Sequence, residues 1–110
     1  MPILKIFADE AIGFEGTSKL VATLPSLRNL LCRGFDVDIS ICQCTVIPVH
    51  GLRDQALLAV EIQILPKPER TREMIIGVCN RLREALLEAV QEKAAVRVTT
   101  LDPATYVVVR

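Results

Sequence analysis

The hydrophobic period of this 110-residue chain switches repeatedly between two values, and the order of the switches restricts its fold more than any other feature. Ile3 to Phe7 reads as a first strand. "EGTSKL" then supplies a turn and a helix start, with Gly16 followed by Thr17 or Ser18 as candidate N-cap. Leu20, Leu24, Leu27 and Leu31 recur at helical spacing, and Gly34 is positioned as the glycine that stops the helix. Pro25 falls inside that pattern, which calls for a kink or for a helix that begins nearby. From Asp38 the period drops to two: Ile39, Ile41 and Ile47 share one face, and Ser40, Cys42, Cys44 and Val46 the other, up to Pro48. Leu58, Val60, Ile62 and Ile64 form one face of a third strand, with Glu61 and Gln63 opposite. "PKPERTRE" opens a second helix with Thr71 as N-cap and Met74, Ile75, Val78, Cys79, Leu82 and Leu86 as its apolar stripe. Val96, Val98 and Thr100 make a fourth strand, and after "LDPAT" comes a β-prone tail, "YVVVR", that nothing later in the chain can cover.

The string is β-α-β twice over, with an offset of about half the chain. It describes one α+β domain over residues 1–110, built of pseudo-repeats at about 1–55 and 56–110. Two architectures share the string. One is the ferredoxin-like split β-α-β fold, a host of binding and regulatory modules. The other joins tandem β-α-β units into a four-stranded mixed sheet with both helices on one face and a short C-terminal strand at a subunit edge. Periodicity does not separate them.

Composition excludes several functions. Net charge is zero, no Lys/Arg run stands out, Trp is absent and Tyr106 is the only tyrosine, so the basic stripe and stacking aromatics of a nucleic-acid binder are missing. No apolar run reaches the roughly 20 residues that cross a bilayer, and no charged segment precedes an apolar one at the start, so a cytoplasmic location is expected. Cys32, Cys42, Cys44 and Cys79 include no CxxC pair, and His50 sits in a turn. Reduced cysteines packing as small hydrophobes are expected, with no metal and no cofactor. An apolar content of 51% is more than a small monomer hides, which points to an oligomer.

The chain begins "MPILKIF". Methionine before a small residue such as proline is normally removed, which would leave Pro2 as a terminal secondary amine. A free α-amino group titrates near about 7.7–8.0. Burial or a nearby cation lowers that value, making the amine a general base, or a nucleophile towards carbonyls, at neutral pH. On "MPILKIFADEA", "ERTRE" and "LDPATYVVV", the chain resembles the tautomerase superfamily, which includes 4-oxalocrotonate tautomerase and macrophage migration inhibitory factor, and most of all an uncharacterised bacterial branch of it. The resemblance implies the second of the two architectures, a homotrimer, and catalytic Pro2 at three subunit-associated pockets.

Members of the superfamily grip a substrate carboxylate with arginine. In short-chain members that arginine lies in a Gly-Arg-Ser/Thr motif at a helix start; "ERTRE" matches at Arg70 and Thr71, with Glu69 in place of the glycine. The first half has no match, since "ADEAIGFEGTS" carries acids there. If strand three returns antiparallel to strand one, the loop Pro66 to Arg72 falls on the sheet edge where Pro2 lies. Arg70 and Arg72 are therefore candidates for binding a carboxylate, with the helix N-terminus adding favourable potential. Either arginine has an ordinary alternative, pairing with Glu69 or Glu73 in solvent. Arg97 and Thr99 on strand four and the Tyr106 hydroxyl are further substrate-binding candidates, Tyr106 equally an interface residue. The function expected is a cofactor-independent keto–enol proton transfer on a small 2-oxo acid. The rivals are a trimeric scaffold without chemistry and a ferredoxin-like ligand-binding or regulatory module.

Overall fold

The computed structural model describes residues 2–110, so Met1, whose removal the sequence reading requires, lies outside the described residues. The elements follow in the order β1 (Ile3–Asp9), α1 (Gly13–Phe35), β2 (Gln43–Val49), β3 (Leu58–Ile64), α2 (Arg72–Val90) and β4 (Ala94–Thr100). Short 3-10 turns at Glu10–Ile12 and Ile39–Ile41 lead into α1 and β2. No helix among the described residues is long and apolar enough to cross a membrane.

One four-stranded sheet forms in the order β2-β1-β3-β4. β1 runs parallel to β2 and β3 parallel to β4, while β1 and β3 pair antiparallel. A split β-α-β sheet would insert another strand between the two strands of each unit. Here the strands of each unit are direct neighbours, so the ferredoxin-like arrangement is excluded and the tandem arrangement stands.

The alternating pattern sorts the side chains. Leu4, Ile6 and Ala8 of β1 and Leu58, Val60, Ile62 and Ile64 of β3 face the helices and are buried. α1 lays Leu20, Leu27, Leu31 and Phe35 on that layer, and α2 adds Val78, Leu82, Leu86 and Val90, one per turn. Each such side chain contributes about 1.5–3 kcal/mol by leaving water. Among the described residues, no helix covers the opposite face of the sheet. Ile3, Phe7 and Ile47 lie there half-buried, beside Lys5, Glu61 and Arg97 in one cross-strand row.

Helix ends depart from the sequence reading for local reasons. Asp9 is buried, and its Oδ1 accepts from the Ala11 N–H at 2.9 Å. That bond starts a turn which runs into α1 at Gly13, whose φ of 74° only glycine adopts freely. Thr17 therefore lies inside the helix, donating its hydroxyl to Gly13 O at 2.9 Å, and does not cap it. Pro25 does not interrupt α1. It and Val21, whose carbonyl its ring deprives of a helical donor, are both exposed, on the solvent side of the helix. Asp36, in the left-handed region at φ 53°, ends the helix in place of Gly34. Thr71 caps α2 as expected, its hydroxyl accepting from Met74 N at 3.2 Å.

Two further differences concern residues 32–42 and the tail. Asp38 Oδ1 accepts from both the N–H and the hydroxyl of Ser40, which folds 39–41 into a turn where alternation suggested strand. That turn carries Cys42 back to Cys32 in the last turns of α1, and the two are joined as a disulfide with Cα atoms 6.8 Å apart. The expectation of four reduced cysteines is corrected for this pair; Cys44 and Cys79 are free thiols. Residues 106–110 form no strand with their own chain, and Val107 and Val109 are exposed.

Gly34 serves packing. A Cβ there would stand 2.7 Å from Val78 Cγ2, where α1 crosses α2. Gly34→Ala therefore lowers stability by about 1–3 kcal/mol in urea denaturation, despite alanine's better helix propensity.

Candidate functional site

β1 starts at the sheet edge to which β3 and β4 run, and this fixes what surrounds Pro2. Ile3 pairs with Gln43 on one side and Gln63 on the other, so Pro2 stands level with Cys42 and Ile64. Pro2 is buried, and its carbonyl accepts from the Gln43 N–H at 3.2 Å. By strand alternation its ring lies on the helix-facing side with Leu4, and Ile3 on the open side.

Arg70 reaches the same edge from the β3–α2 connection. It is 8% exposed. Its Nη1 donates to Leu65 O at 2.6 Å and its Nη2 to Phe35 O at 3.3 Å, tying the end of β3 to the end of α1. The guanidinium carbon lies 5.5 Å from the centre of the Phe35 ring, within cation–π range. Burial lowers its pKa from the ordinary value, opposed by the charge of Glu69. The Nε proton is buried and has no acceptor among the described residues. A cavity of about 300 Å³ adjoins the guanidinium, lined also by Phe35, Asp36, Lys67, Glu69 and Met74.

On the open side of the same edge lies a second cavity, of about 420 Å³. Asp102 accepts the N–H groups of Thr105 and Tyr106 at its carbonyl and that of Ala104 at its carboxylate, and this turn sends the tail back across the sheet end. Half-buried Tyr106 and exposed Arg110 of the tail then line the cavity together with Ile3, Ser40 and Gln43. Pro2, the Arg70 guanidinium and the recess lined by Tyr106 thus belong to one end of the sheet, and Pro2 lines neither cavity.

The remaining candidates lie apart. Arg72 is exposed in the first turn of α2. Thr99 is exposed on the open face, level with Gln63 and one row from Pro2. Arg97 is exposed opposite Glu61, three rows from Pro2. Sequence reasoning did not find Lys67, Ser40, Gln43 or the Phe35 carbonyl. Only a turn at 36–41 brings Phe35 and Gln43 to one edge, and no periodicity signals that.

Neither free cysteine is an activated nucleophile. Burial raises the thiol pKa of Cys44, with Arg28 opposing, and raises that of Cys79.

No protein-family model matches the chain, and no curated protein matches it in sequence. Solved structures do. A protein of unknown function from Vibrio cholerae superposes with a TM-score of 0.76 at 15% identity, covering 97% of this chain and 83% of that one. A fused 4-OT, solved as an asymmetric trimer, gives 0.72 at 12% identity over 96% of this chain and 91% of its own. Malonate semialdehyde decarboxylase, solved as wild type, as a proline-to-alanine mutant and in an inactivated form, gives 0.66 at 16% identity, covering 98% and 91%. At such identities the likeness shows the fold, and the fold is that of the tautomerase superfamily.

Arg70 is a structural tie whatever else it does. Arg70→Met would leave two carbonyls without their donor, so it lowers stability by about 1–3 kcal/mol in urea, more than Arg72→Met at its exposed site.

Proposed function

We propose, with the tautomerase fold as the premise, that this chain is a cofactor-independent tautomerase of small 2-oxo acids, with Pro2 as its base. Removal of Met1 would leave a secondary amine at the edge described above. The amine takes a proton from one position of the substrate, and the resulting prolinium returns a proton at the other, so that keto and enol forms interconvert with no net change in protons. The reading rests on two features of one sheet end: buried Pro2 at the start of β1, and the buried Arg70 guanidinium in the β3–α2 connection. Its charge favours the neutral amine, and the cavity of about 300 Å³ beside it, lined also by Lys67, is the proposed seat of the substrate carboxylate. Tyr106 supplies a hydroxyl from the other side. Arg72, Thr99 and Arg97 are more distant members of the proposed site.

The assembly belongs to the same proposal. The open sheet face with Ile3, Phe7 and Ile47, and the exposed Val107 and Val109, call for a neighbour. A fused 4-OT of this fold is solved as a trimer. We read this chain as a cytoplasmic, single-domain homotrimer that acts on a carboxylate and binds neither nucleic acid nor membrane.

One observation favours a second reading, a trimeric scaffold without chemistry. Both Nη groups of Arg70 already hold main-chain carbonyls, and the first half of the chain has no matching arginine.

The experiment separates the two. Natively produced protein should show a mass without Met1 and scatter light as a trimer. With phenylenolpyruvate as substrate, Pro2→Gly should reduce turnover about a hundredfold or more while keeping most binding. The rate falls as pH drops through the amine's pKa, because the base must be neutral. Arg70→Met removes the cation that disfavours the prolinium, so that limb should move to higher pH. Retained Met1, which leaves the Pro2 nitrogen an amide, or a Pro2→Gly variant as active as wild type, leaves the scaffold reading.

A further inference from the structure

The outer surface of the molecule carries a groove that the proposed reaction does not use. It lies between the C-terminal half of α1 and the middle of α2, and has a volume of about 510 Å³. Ser26, Asn29, Leu30, Arg33 and Gly34 of α1 and Arg81 of α2 line it. None of the six carries a carboxylate. Arg33 and Arg81 are exposed, and neither has an ion pair or side-chain hydrogen bond with a described residue.

The Arg81 guanidinium is set in place by the two glycines beneath it. Its Nη2 stands 3.6 Å from where a Cβ of Gly34 would be, and its Nη1 3.7 Å from where a Cβ of Gly77 would be. The missing side chains let the planar group lie along the helix crossing. Gly34 also brings α2 close, through Val78, so Arg81 and Arg33 enter one recess from two different helices.

We propose that this groove is a second ligand site and that it takes a phosphate monoester. Two guanidiniums with no counter-ion concentrate positive charge where the surrounding surface is mixed. The hydroxyl of Ser26 and the amide of Asn29 add neutral donors beside them. This set exceeds the two oxygens and single charge of a carboxylate. It fits the three terminal oxygens of a monoester, whose charge is about −1.5 to −2 at neutral pH. Leu30 provides an apolar wall for the group the phosphate is attached to. The proposed trimer buries the open face of the sheet, which lies on the other side of the molecule, so the groove remains accessible in the assembly.

The test titrates full-length protein with phenyl phosphate and, separately, benzoate, following backbone amide shifts by NMR. Saturable shifts should cluster at Ser26, Asn29, Gly34 and Arg81, with phenyl phosphate bound about tenfold more tightly than benzoate. Arg33→Gln and Arg81→Gln should each weaken phenyl phosphate about tenfold or more, the loss expected for one charge-assisted contact. Arg53→Gln, in the exposed loop after β2, should leave binding unchanged. Both groove arginines are exposed, so their variants fold, as the dispersion of the same spectra verifies. Shifts clustering at Lys67 and Glu69 in place of the groove, equal affinity for benzoate, or affinity unaffected by Arg33→Gln and Arg81→Gln would each overturn the proposal. None of these outcomes depends on Pro2 or on the state of Met1.

Discussion

The antiparallel pairing of β1 with β3 is the constraint on which the rest depends. Each half of the chain builds a parallel β-α-β unit, and within the sheet this central pair joins them. Its register sets Ile3 against Gln63 and so brings the start of the chain level with the exit of β3. The helix that follows β3 must then start beside Pro2, and the helix that precedes β2 must end there. Arg70 spans those two ends. A shift of one residue in this pairing would turn Val60 and Ile62 towards the open face and take the guanidinium away from the proline.

The two faces of the sheet are unequal. One side holds the buried layer beneath α1 and α2, and the other holds a mixed row of Lys5, Glu61 and Arg97 among apolar residues. The arginines divide along the same lines. Arg70 is buried and spends two donors on the main chain, whereas Arg33 and Arg81 are exposed and spend none. A guanidinium in the first setting positions other groups and modifies their protonation. In the second it is available to an incoming anion. Net charge, which is zero for the whole chain, says nothing of this local division.

The order and type of every main element were legible in the sequence, because alternation and helical spacing each depend on which side chains are buried. β3 and the Thr71 cap needed no tertiary information. Turns were less legible. The stretch 39–41 alternates like a strand, yet Asp38 bonding to Ser40 curls it, and the Cys32–Cys42 pairing follows from that curl. Gly34 read as a helix stop because the spacing of leucines ends there, whereas its role is set by Val78 some forty residues later. For the site, the edge shared by Pro2 and the Arg70 loop could be argued from topology alone. That the guanidinium would be occupied by the carbonyls of Phe35 and Leu65 could not, since main-chain acceptors leave no mark in a sequence.

The sheet contains no hairpin. Ile3 meets Gln43 and Gln63, and Leu58 meets Ala94, so neighbouring strands join residues that lie far apart along the chain. β2 and β3, though consecutive, are separated by β1. No strand pair can therefore form as a local event, and each must wait for a long segment to close, an entropic cost that comes before any ladder bond offsets it. Helical turns in α1 and α2, and the short turns at Glu10–Ile12 and Ile39–Ile41, are structure that neighbouring residues can start unaided. Until β1 is in place between its partners, β2 has no strand to pair with and β3 keeps an open edge towards it.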